Sequence, residues 1–305
     1  MKALTIPFLA IAALLVSCQD KPTGGSSPGA KPVVAAVNYP LAYFAERLAG
    51  DFATIVFEAP ADEDPAFWEP GDGEITTMQQ ADVILMNGAT YAKWAAQASL
   101  PEGAMVDTSA GFKDRLIEIE AGTTHAHGKE GDPHSHGGTA FTTWMDLKQA
   151  AAQAEAVARA LTARFPDRKA AIEKRLTTLA VDLEQLDSSM RETTAKLKGA
   201  PVVASHPVYQ YWERAYGLRV PSLLWEPEME LGEEPLADLR KLLEANPGAK
   251  FFVWEGDPTP GHIEKLQSEF GLTSIVVSPC GNRPESGDFL SVMQANIEAI
   301  EKAGP

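Results

Sequence analysis

Residues 167–197 read DRKAAIEKRLTTLAVDLEQLDSSMRETTAKL, a run of 31 residues without an internal proline or glycine. Pro166 precedes the run, and the Gly-Ala-Pro sequence at 199–201 ends it. At 1.5 Å of rise per residue, such a helix spans roughly 45 Å. A helix of this length inside a globular chain usually connects two bodies. The stretch therefore predicts a rigid link between two parts of the fold.

On both sides of this helix, short apolar runs alternate with amphipathic segments. Apolar strands that alternate with helices are typical of parallel sheets covered on both faces. The predicted strands are residues 33–37, 53–57, 82–86 and 105–108 before the helix, and 202–205, 220–225, 251–255 and 274–277 after it. The predicted helices include a short one before the strand at 82–86, one that carries Tyr91 and Trp94, and residues 146–165, 208–216, 236–245, 260–270 and 289–302.

This pattern predicts an α/β fold with two lobes, each with a parallel β-sheet flanked by helices, joined by one long linking α-helix. The predicted organisation is an N-terminal lobe at 33–145 with a His-rich loop at 122–138, a helical region at 146–199 that contains the bridging helix at 167–198, and a C-terminal lobe at 200–305.

The chain begins with one lysine and a short apolar run that leads to Leu15-Val16-Ser17-Cys18. The run is too short to cross a bilayer, so residues 1–17 are predicted to be an export signal peptide. A cysteine in this position is typical of a bacterial lipobox, in which Cys18 is lipidated and anchors the protein on the periplasmic side of a membrane. An ordinary signal peptide cut elsewhere is the alternative. Residues 18–32 are rich in Gly, Ser and Pro, as in a flexible tether.

The charge and the cysteines limit the partners of the chain. The formal net charge is −16, which disfavours nucleic acid and anionic headgroups and favours the approach of cations. Lipidation of Cys18 would leave Cys280 alone, so no disulfide is predicted. Cys280 is then either a thiolate metal ligand or a buried, small apolar residue.

The most unusual local sequence is HAHGKEGDPHSH at residues 125–136, which holds four of the six histidines. Its glycines and its lack of periodicity predict a loop. Paired imidazoles bind ions such as Zn²⁺ or Cu²⁺, whereas Mg²⁺ and Ca²⁺ prefer oxygen. The loop is therefore a candidate metal site, with incidental composition as the alternative; its candidate ligands are His125, His127, His134 and His136.

A second candidate follows from the predicted sheets. Ligands of open parallel sheets bind outside the carboxyl ends of the strands, where His206 follows the strand at 202–205. His206 is thus a candidate metal ligand, and a hydrogen-bonded structural histidine is the alternative. Nearby carboxylates could supply oxygen ligands, although solvation or helix capping is their ordinary role; they are Asp62, Glu63, Asp64, Glu69 and Glu255.

Several short segments, in this order and spacing, carry a family resemblance. They are VNYPLAYFA at 37–45, DPAFWEP at 64–70, ADVILMNGA at 81–89, Trp144-Met145-Asp146 after the His-rich loop, SHP at 205–207 with YGL at 216–218, and GDFLSVMQAN at 287–296. Through them the chain resembles the zinc and manganese solute-binding lipoproteins of bacterial ABC importers.

This resemblance implies two lobes bridged by a rigid helix, with one ion held in the cleft by four side chains. At the four ligand positions of the family, this chain has Ala66, Thr142, His206 and Ser278. His206 alone among them is a good zinc ligand, whereas structural zinc generally takes four. Either the loop histidines complete a site with His206, or the cleft has lost metal binding and serves another ligand or partner.

Together these observations predict an extracytoplasmic lipoprotein that captures a divalent ion, with zinc as the expected ion and manganese or another divalent metal left open. It would deliver the ion as a monomer to the membrane permease of an ABC importer. The alternative is a periplasmic metal buffer or interaction module whose degenerate cleft loads no transporter. An enzyme is not predicted, because the His pairs lie in a Gly-rich loop and neither the zincin nor the nucleophile-elbow motif occurs.

Overall fold

The structure is a computed structural model that describes residues 30–119, 138–197, 199, 201–226 and 229–304. The chain divides into a unit of residues 1–30 and a unit of residues 31–305. All the elements below belong to the second unit.

Two sets of predictions lie outside the described residues. The first is the signal peptide at 1–17 with Cys18 and most of the tether. The second is the set of loop histidines, His125, His127, His134 and His136. These assignments therefore stay predictions.

The first lobe is built on a parallel sheet of four strands in the order β2-β1-β3-β4. Its strands are β1 (Val33–Ala36), β2 (Thr54–Val56), β3 (Val83–Met86) and β4 (Met105–Asp107). Helices α1 (Tyr39–Ala49) and α2 (Asp72–Gln79) connect the first three strands. A short antiparallel pair, β5 (Glu118–Ile119) and β6 (Gly138–Thr139), follows.

Helix α1 shows how local sequence sets an element. The Asn38 side chain accepts a hydrogen bond from the Leu41 amide, which satisfies one of the free N–H groups of the first turn. Pro40 lies in that first turn, where its missing N–H costs nothing. Gly50 ends the helix at a φ of 57°, a conformation that side-chain-bearing residues rarely adopt.

The predicted helix at Tyr91 and Trp94 is wrong. Ala89, Thr90 and Ala92 have positive φ angles of 50°, 61° and 53°, and these left-handed conformations cannot continue a right-handed helix. A single 3₁₀ turn, Lys93–Ala96, is all that forms. The irregular backbone leaves Tyr91 buried.

The long helix predicted at 167–198 is confirmed. A 3₁₀ turn at Pro166–Arg168 leads into α4 (Lys169–Thr194), which ends in a second turn at Ala195–Leu197. Before it runs α3 (Leu147–Arg164), which begins at Asp146 because that side chain accepts hydrogen bonds from two amides of the first turn. Pro166 separates α3 from α4, since proline cannot continue a helix.

The second lobe is built on a parallel sheet in the order β7-β8-β9, with β7 (Val202–Ala204), β8 (Phe251–Trp254) and β9 (Thr273–Val276). Its helices are α5 (Gln210–Tyr216), α6 (Glu233–Ala245), α7 (Pro260–Phe270) and α8 (Phe289–Ala303).

The predicted strand at 220–225 is wrong, although the segment runs beside β7. It makes one isolated bridge, between Ser222 and Ala204. The Leu223 amide then donates to the Ala204 carbonyl, while the Trp225 amide donates to the next carbonyl, that of Ser205. Between these two bonds the donor moves two residues along the chain, from Leu223 to Trp225, while the acceptor moves only one, from Ala204 to Ser205. A regular parallel ladder is lost, and Pro221 lacks the N–H that a strand would use.

Helix α4 contacts both lobes. It packs against α1 on one side and against α5 and α8 on the other. Toward the first lobe, Arg47 donates to Asp182 at 2.6 Å. Toward the second, Thr193 donates to Glu301 at 3.1 Å. The predicted two-lobed α/β fold is therefore confirmed, while the exact domain boundaries stay a prediction.

Within the part of the chain that the structure describes, no helix combines the length and the apolar character needed to cross a membrane.

The buried face of α4 yields a test of this architecture. Leu179 is fully buried in the core, whereas Val181, two residues on, is 49% exposed. We expect Leu179→Ala to lower the free energy of unfolding by about 2–5 kcal/mol, because it removes packed methyl groups and leaves a cavity. Val181→Ala should change it by less than about 0.5 kcal/mol. Urea denaturation measures both, and equal effects would contradict the assigned face of the helix.

Candidate metal-binding site

A cavity of about 480 Å³ lies where the segments after β7, β8 and β9 meet the first lobe. From the second lobe, Glu226, Glu255 and residues 278–285 line it. The first lobe contributes Asp64, Tyr91, Phe141, Thr142 and Trp144, among others. The cavity therefore lies at the carboxyl ends of the second sheet, where ligands of parallel α/β sheets bind.

Three ionisable side chains converge beside this cavity, and two of them, Glu226 and Glu255, line it. His206, Glu226 and Glu255 each offer one ligand atom, and the three atoms lie within 4.8 Å of one another. The Nδ1 atom of His206 is 3.8 Å from Oε1 of Glu226 and 3.8 Å from Oε1 of Glu255. His206 is buried, and the two glutamates are partly buried. The described residues contain one group of this kind.

The backbone fixes the three residues relative to one another. His206 lies two residues beyond β7, and Glu255 directly follows β8. The Ser205 amide donates to the Val253 carbonyl at 2.8 Å, which holds the end of β7 against β8. The Trp225 amide donates to the Ser205 carbonyl at 2.8 Å, which brings Glu226 beside the other two.

Negative charge accumulates at this place. The pKa of Glu255 lies well above its ordinary value, first because of burial and then because Glu226 and Asp64 repel its charged form. All three causes disfavour the charged form of Glu255. A cation between the two glutamates would attract both carboxylates and so offset this repulsion.

Aromatic rings form another part of the cavity wall. The ring of Tyr91 lies 5.4 Å from that of Phe141 and 5.9 Å from that of Trp144, both in edge-to-face geometry. The Trp144 indole donates to the Pro279 carbonyl at 2.7 Å. This bond ties the first-lobe wall to the segment that follows β9.

The segment after β9 is joined to the first lobe at several points. The Asn282 side chain donates to the carbonyls of Pro60 and Glu63, at 2.5 and 2.8 Å. The Arg283 guanidinium donates to Glu46 at 2.8 Å and lies 4.8 Å from the centre of the Tyr39 ring. These bonds hold the two walls of the cavity together.

The three positions that depart from the resemblance have other contacts. Ala66 is buried, and its amide donates to the Asp64 carboxylate. The Thr142 hydroxyl donates to the Val208 carbonyl at 2.6 Å. The Ser278 hydroxyl accepts a hydrogen bond from the Cys280 amide at 3.2 Å. These side chains offer a methyl group and two neutral hydroxyls, which are poor zinc ligands.

The other sequence candidates separate into two groups. Asp64 lines the cavity, whereas Asp62, Glu63 and Glu69 are exposed and lie outside the cluster around His206. Cys280 also lines the cavity, but burial raises the pKa of its thiol to about 12. The cluster around His206 does not include Cys280, which favours its interpretation as a small buried residue.

Glu226 is the site residue that the sequence reasoning missed. It directly follows residues 220–225, which were predicted as a strand, so the carboxyl-end rule that selected His206 also applied to it. Glu255 was named among the acidic neighbours, and the structure places it beside His206.

Comparison with known proteins gives one family match over most of the chain. The family is described as "ZnuA: Zinc-uptake complex component A periplasmic", and its sequence profile matches residues 33–303.

Three curated relatives illustrate the range of the matches. The zinc-binding lipoprotein AdcA of Streptococcus pneumoniae R6 is 24% identical over 319 residues, which cover 99% of this chain and 61% of AdcA. The high-affinity zinc uptake system protein ZnuA of Bacillus subtilis is 25% identical, covering 94% and 93%. The manganese ABC transporter substrate-binding lipoprotein PsaA of S. pneumoniae is 27% identical, covering 96% and 95%. The chain thus spans 61% of the length of AdcA.

Solved structures show the same fold. The metal-dependent lipoprotein YcdH of B. subtilis aligns with a TM-score of 0.74 at 21% identity, covering 90% of this chain and 99% of that one. Zn(II)-bound AdcA of S. pneumoniae has a TM-score of 0.74 at 20% identity, covering 90% and 59%. FpvC of Pseudomonas aeruginosa in complex with Mn²⁺ has a TM-score of 0.68 at 22% identity, covering 90% and 100%.

The electrostatics of Glu255 yield a prediction. At pH 7 an unfolded chain holds this carboxylate ionised, whereas the folded site disfavours the charge, so ionisation of Glu255 costs stability. We expect Glu255→Gln to raise the melting temperature of the metal-free protein, by about 2–4 °C for each kcal/mol recovered. The gain should shrink as the pH falls toward about 4.3, where the carboxyl is protonated in both states.

Differential scanning calorimetry in a chelating buffer measures this effect. Glu269→Gln on the exposed surface of α7 is the matched control and should leave the melting temperature nearly unchanged. A melting temperature that falls in Glu255→Gln would contradict the assigned electrostatics.

Proposed function

We propose a metal-capture function for this chain, which belongs to the ZnuA family of periplasmic zinc-uptake components. In this proposal His206, Glu226 and Glu255 hold one divalent ion, and the protein delivers that ion to the permease of an ABC importer. Relatives named for zinc and for manganese uptake support this assignment, and the family match favours delivery over metal buffering. The family match also indicates a binding protein rather than an enzyme.

The observation that carries the proposal is the spacing of the three ligand atoms. Zinc binds nitrogen and oxygen at about 2.0–2.2 Å, which puts neighbouring ligands of a tetrahedral ion roughly 3.3–3.5 Å apart. His206 Nδ1 lies 3.8 Å from an oxygen of each glutamate. These two distances need to shorten by only a few tenths of an ångström around an ion, and all three ligand atoms lie within 4.8 Å of one another.

The charges of the site fit a divalent cation. Two carboxylates balance a charge of +2, and the imidazole binds in its neutral form. In the metal-free protein, burial and the neighbouring carboxylates raise the pKa of Glu255, so an entering ion takes the place of a proton. The net charge of −16 favours the approach of cations to the protein as a whole.

Zinc is the ion we propose. Nitrogen and oxygen donors of this kind bind Zn²⁺ more tightly than Mn²⁺ in the general affinity order of divalent metals. The imidazole of His206 is a donor that suits zinc, whereas an all-oxygen site would favour manganese. Manganese is therefore the comparison ion for any binding measurement.

The histidines of the His-rich loop remain proposed ligands. Three protein ligands leave at least one position of a zinc ion open. His125, His127, His134 or His136 could supply an imidazole there, since all four lie between β5 and β6, next to the first-lobe wall in sequence. Ordering such a loop would cost conformational entropy, so its share of the affinity should be modest.

Zinc titration of the metal-free protein tests the site. We expect one binding event that weakens by at least about 100-fold in His206→Ala, since loss of a direct ligand should exceed the 10–100-fold cost of losing a ligand's supporting partner. His262→Ala is the matched control, because His262 lies on α7 away from the cavity lining. Zinc affinity that survives in His206→Ala would refute the site.

A deletion separates the loop from the cleft. Removing residues 122–138 should weaken zinc binding if a loop imidazole completes the site. An unchanged affinity and stoichiometry would rule out the loop ligands while leaving the cleft ligands standing.

We also propose that the protein is anchored outside the cytoplasm through lipidated Cys18, as a monomer. Relatives named lipoproteins support the anchor. In cells, Cys18→Ala should move the protein from the membrane fraction to the soluble extracytoplasmic fraction, while Cys280→Ala, the matched control, should not. Immunoblotting of the fractions checks this, and a Cys18→Ala protein that stays with the membrane would contradict lipid anchoring.

A further inference from the structure

The cavity is larger than a metal ion requires. A water molecule needs only about 10–15 Å³ of such space, whereas pockets for small organic molecules measure about 300–1,000 Å³. The cavity beside His206 measures about 480 Å³. Its size therefore fits an ion together with a small organic molecule.

The donor set also leaves room for a second molecule. His206, Glu226 and Glu255 supply one nitrogen and two oxygens. Thr142 and Ser278 line the same cavity but offer neutral hydroxyls, which already bond to the backbone. An ion on the three ligands would thus present its remaining positions to the open part of the cavity, where a second nitrogen donor would suit zinc.

Two other residues of the cavity lining, one from each lobe, could hold an organic anion. The Tyr91 hydroxyl is buried, and it has no hydrogen-bond partner among the described residues. Burial keeps this phenol protonated by raising its pKa, so it can act as a donor. The Arg283 cation lines the same cavity and is held in place by Glu46 and Tyr39.

Part of the cavity wall is aromatic. Tyr91, Phe141 and Trp144 present aromatic rings around the cavity. A Cβ atom placed on Gly281 would lie 3.9 Å from the Tyr91 hydroxyl and 3.7 Å from the Trp144 ring. The glycine thus leaves space between the donor and the rings that any larger residue would fill.

We propose that the ion is bound together with a small α-amino acid, of which histidine is the simplest case with a flat side chain. This inference rests on the proposed metal-capture function. The amino acid chelates the ion through its amine and its carboxylate, and its ammonium proton passes to solvent as the amine coordinates. With the open positions taken by the amino acid instead of a loop imidazole, three protein ligands and two chelating atoms give the five-coordinate arrangement that zinc accepts.

Charge explains the choice of an amino acid over an oxygen-only chelator. Citrate would bring several negative charges next to Glu226, Glu255 and Asp64, which already repel one another. A chelated amino acid brings a single negative charge, which Arg283 can offset. It also adds a second nitrogen donor to the one that His206 supplies.

Equilibrium dialysis of the full mature chain against radiolabelled L-histidine, with and without zinc, tests the inference. We expect retained histidine to approach one molecule per chain with zinc and to be near zero without it. Citrate at the same concentration should not replace it. Zinc per chain is measured in the same samples.

Three variants sharpen the test. Gly281→Leu should fill the space beside Tyr91 and reduce histidine retention by at least about tenfold, while zinc stays bound. Gly111→Leu, at an exposed glycine with open space around it, is the control and should keep histidine. Tyr91→Phe removes one donor without changing the ring, so it should weaken histidine retention, leave zinc binding intact and keep the fold.

The outcomes separate this inference from the function on which it rests. Zinc bound at one ion per chain without histidine, and with an apparent affinity that histidine lowers by competition, would overturn the co-ligand but not metal capture. Retention of citrate in place of histidine would overturn the amino acid assignment. Absence of zinc binding in both conditions would refute metal capture itself.

Discussion

Repulsion among the carboxylates beside His206 is the constraint that the rest of the structure must accommodate. Glu226 and Glu255 face the same imidazole at equal distances of 3.8 Å, and Asp64 is close enough to disfavour the charge on Glu255. Such an arrangement costs stability in a folded protein unless a positive charge joins it. The rest of the fold holds these groups together against that cost.

The sheet and the long helix provide that support. The ends of β7 and β8 are bonded to each other through the Ser205 amide, and the segment before Glu226 is bonded to Ser205 in turn. Helix α4 packs on both lobes, so the wall formed by the first lobe is fixed relative to the second sheet. Function here depends on backbone geometry as much as on the identity of the side chains.

The sequence predicted the parts of the fold that follow from regular patterns. The absence of proline and glycine between 167 and 197 identified the long helix, and alternating apolar runs identified both sheets. His206 was selected because it follows a strand. Glu255 was also named, but only among several acidic neighbours, since sequence alone does not show which carboxylate faces the imidazole.

Two local features escaped prediction for a physical reason. The left-handed conformations at Ala89, Thr90 and Ala92 occur without glycine, so no residue type marks them. The segment before Glu226 pairs irregularly with β7, so its direction depends on tertiary hydrogen bonds rather than on a repeating pattern. Irregular backbone of this kind is common where a protein builds a binding site.

The bonds from Asn282 to Pro60 and Glu63, and from Trp144 to Pro279, join the walls of the cavity without using any of the three ligand side chains. The two walls of the cavity are therefore held to each other by the protein itself, before any guest enters. Because these cross-links use none of the three ligand side chains, an entering ion does not compete with them.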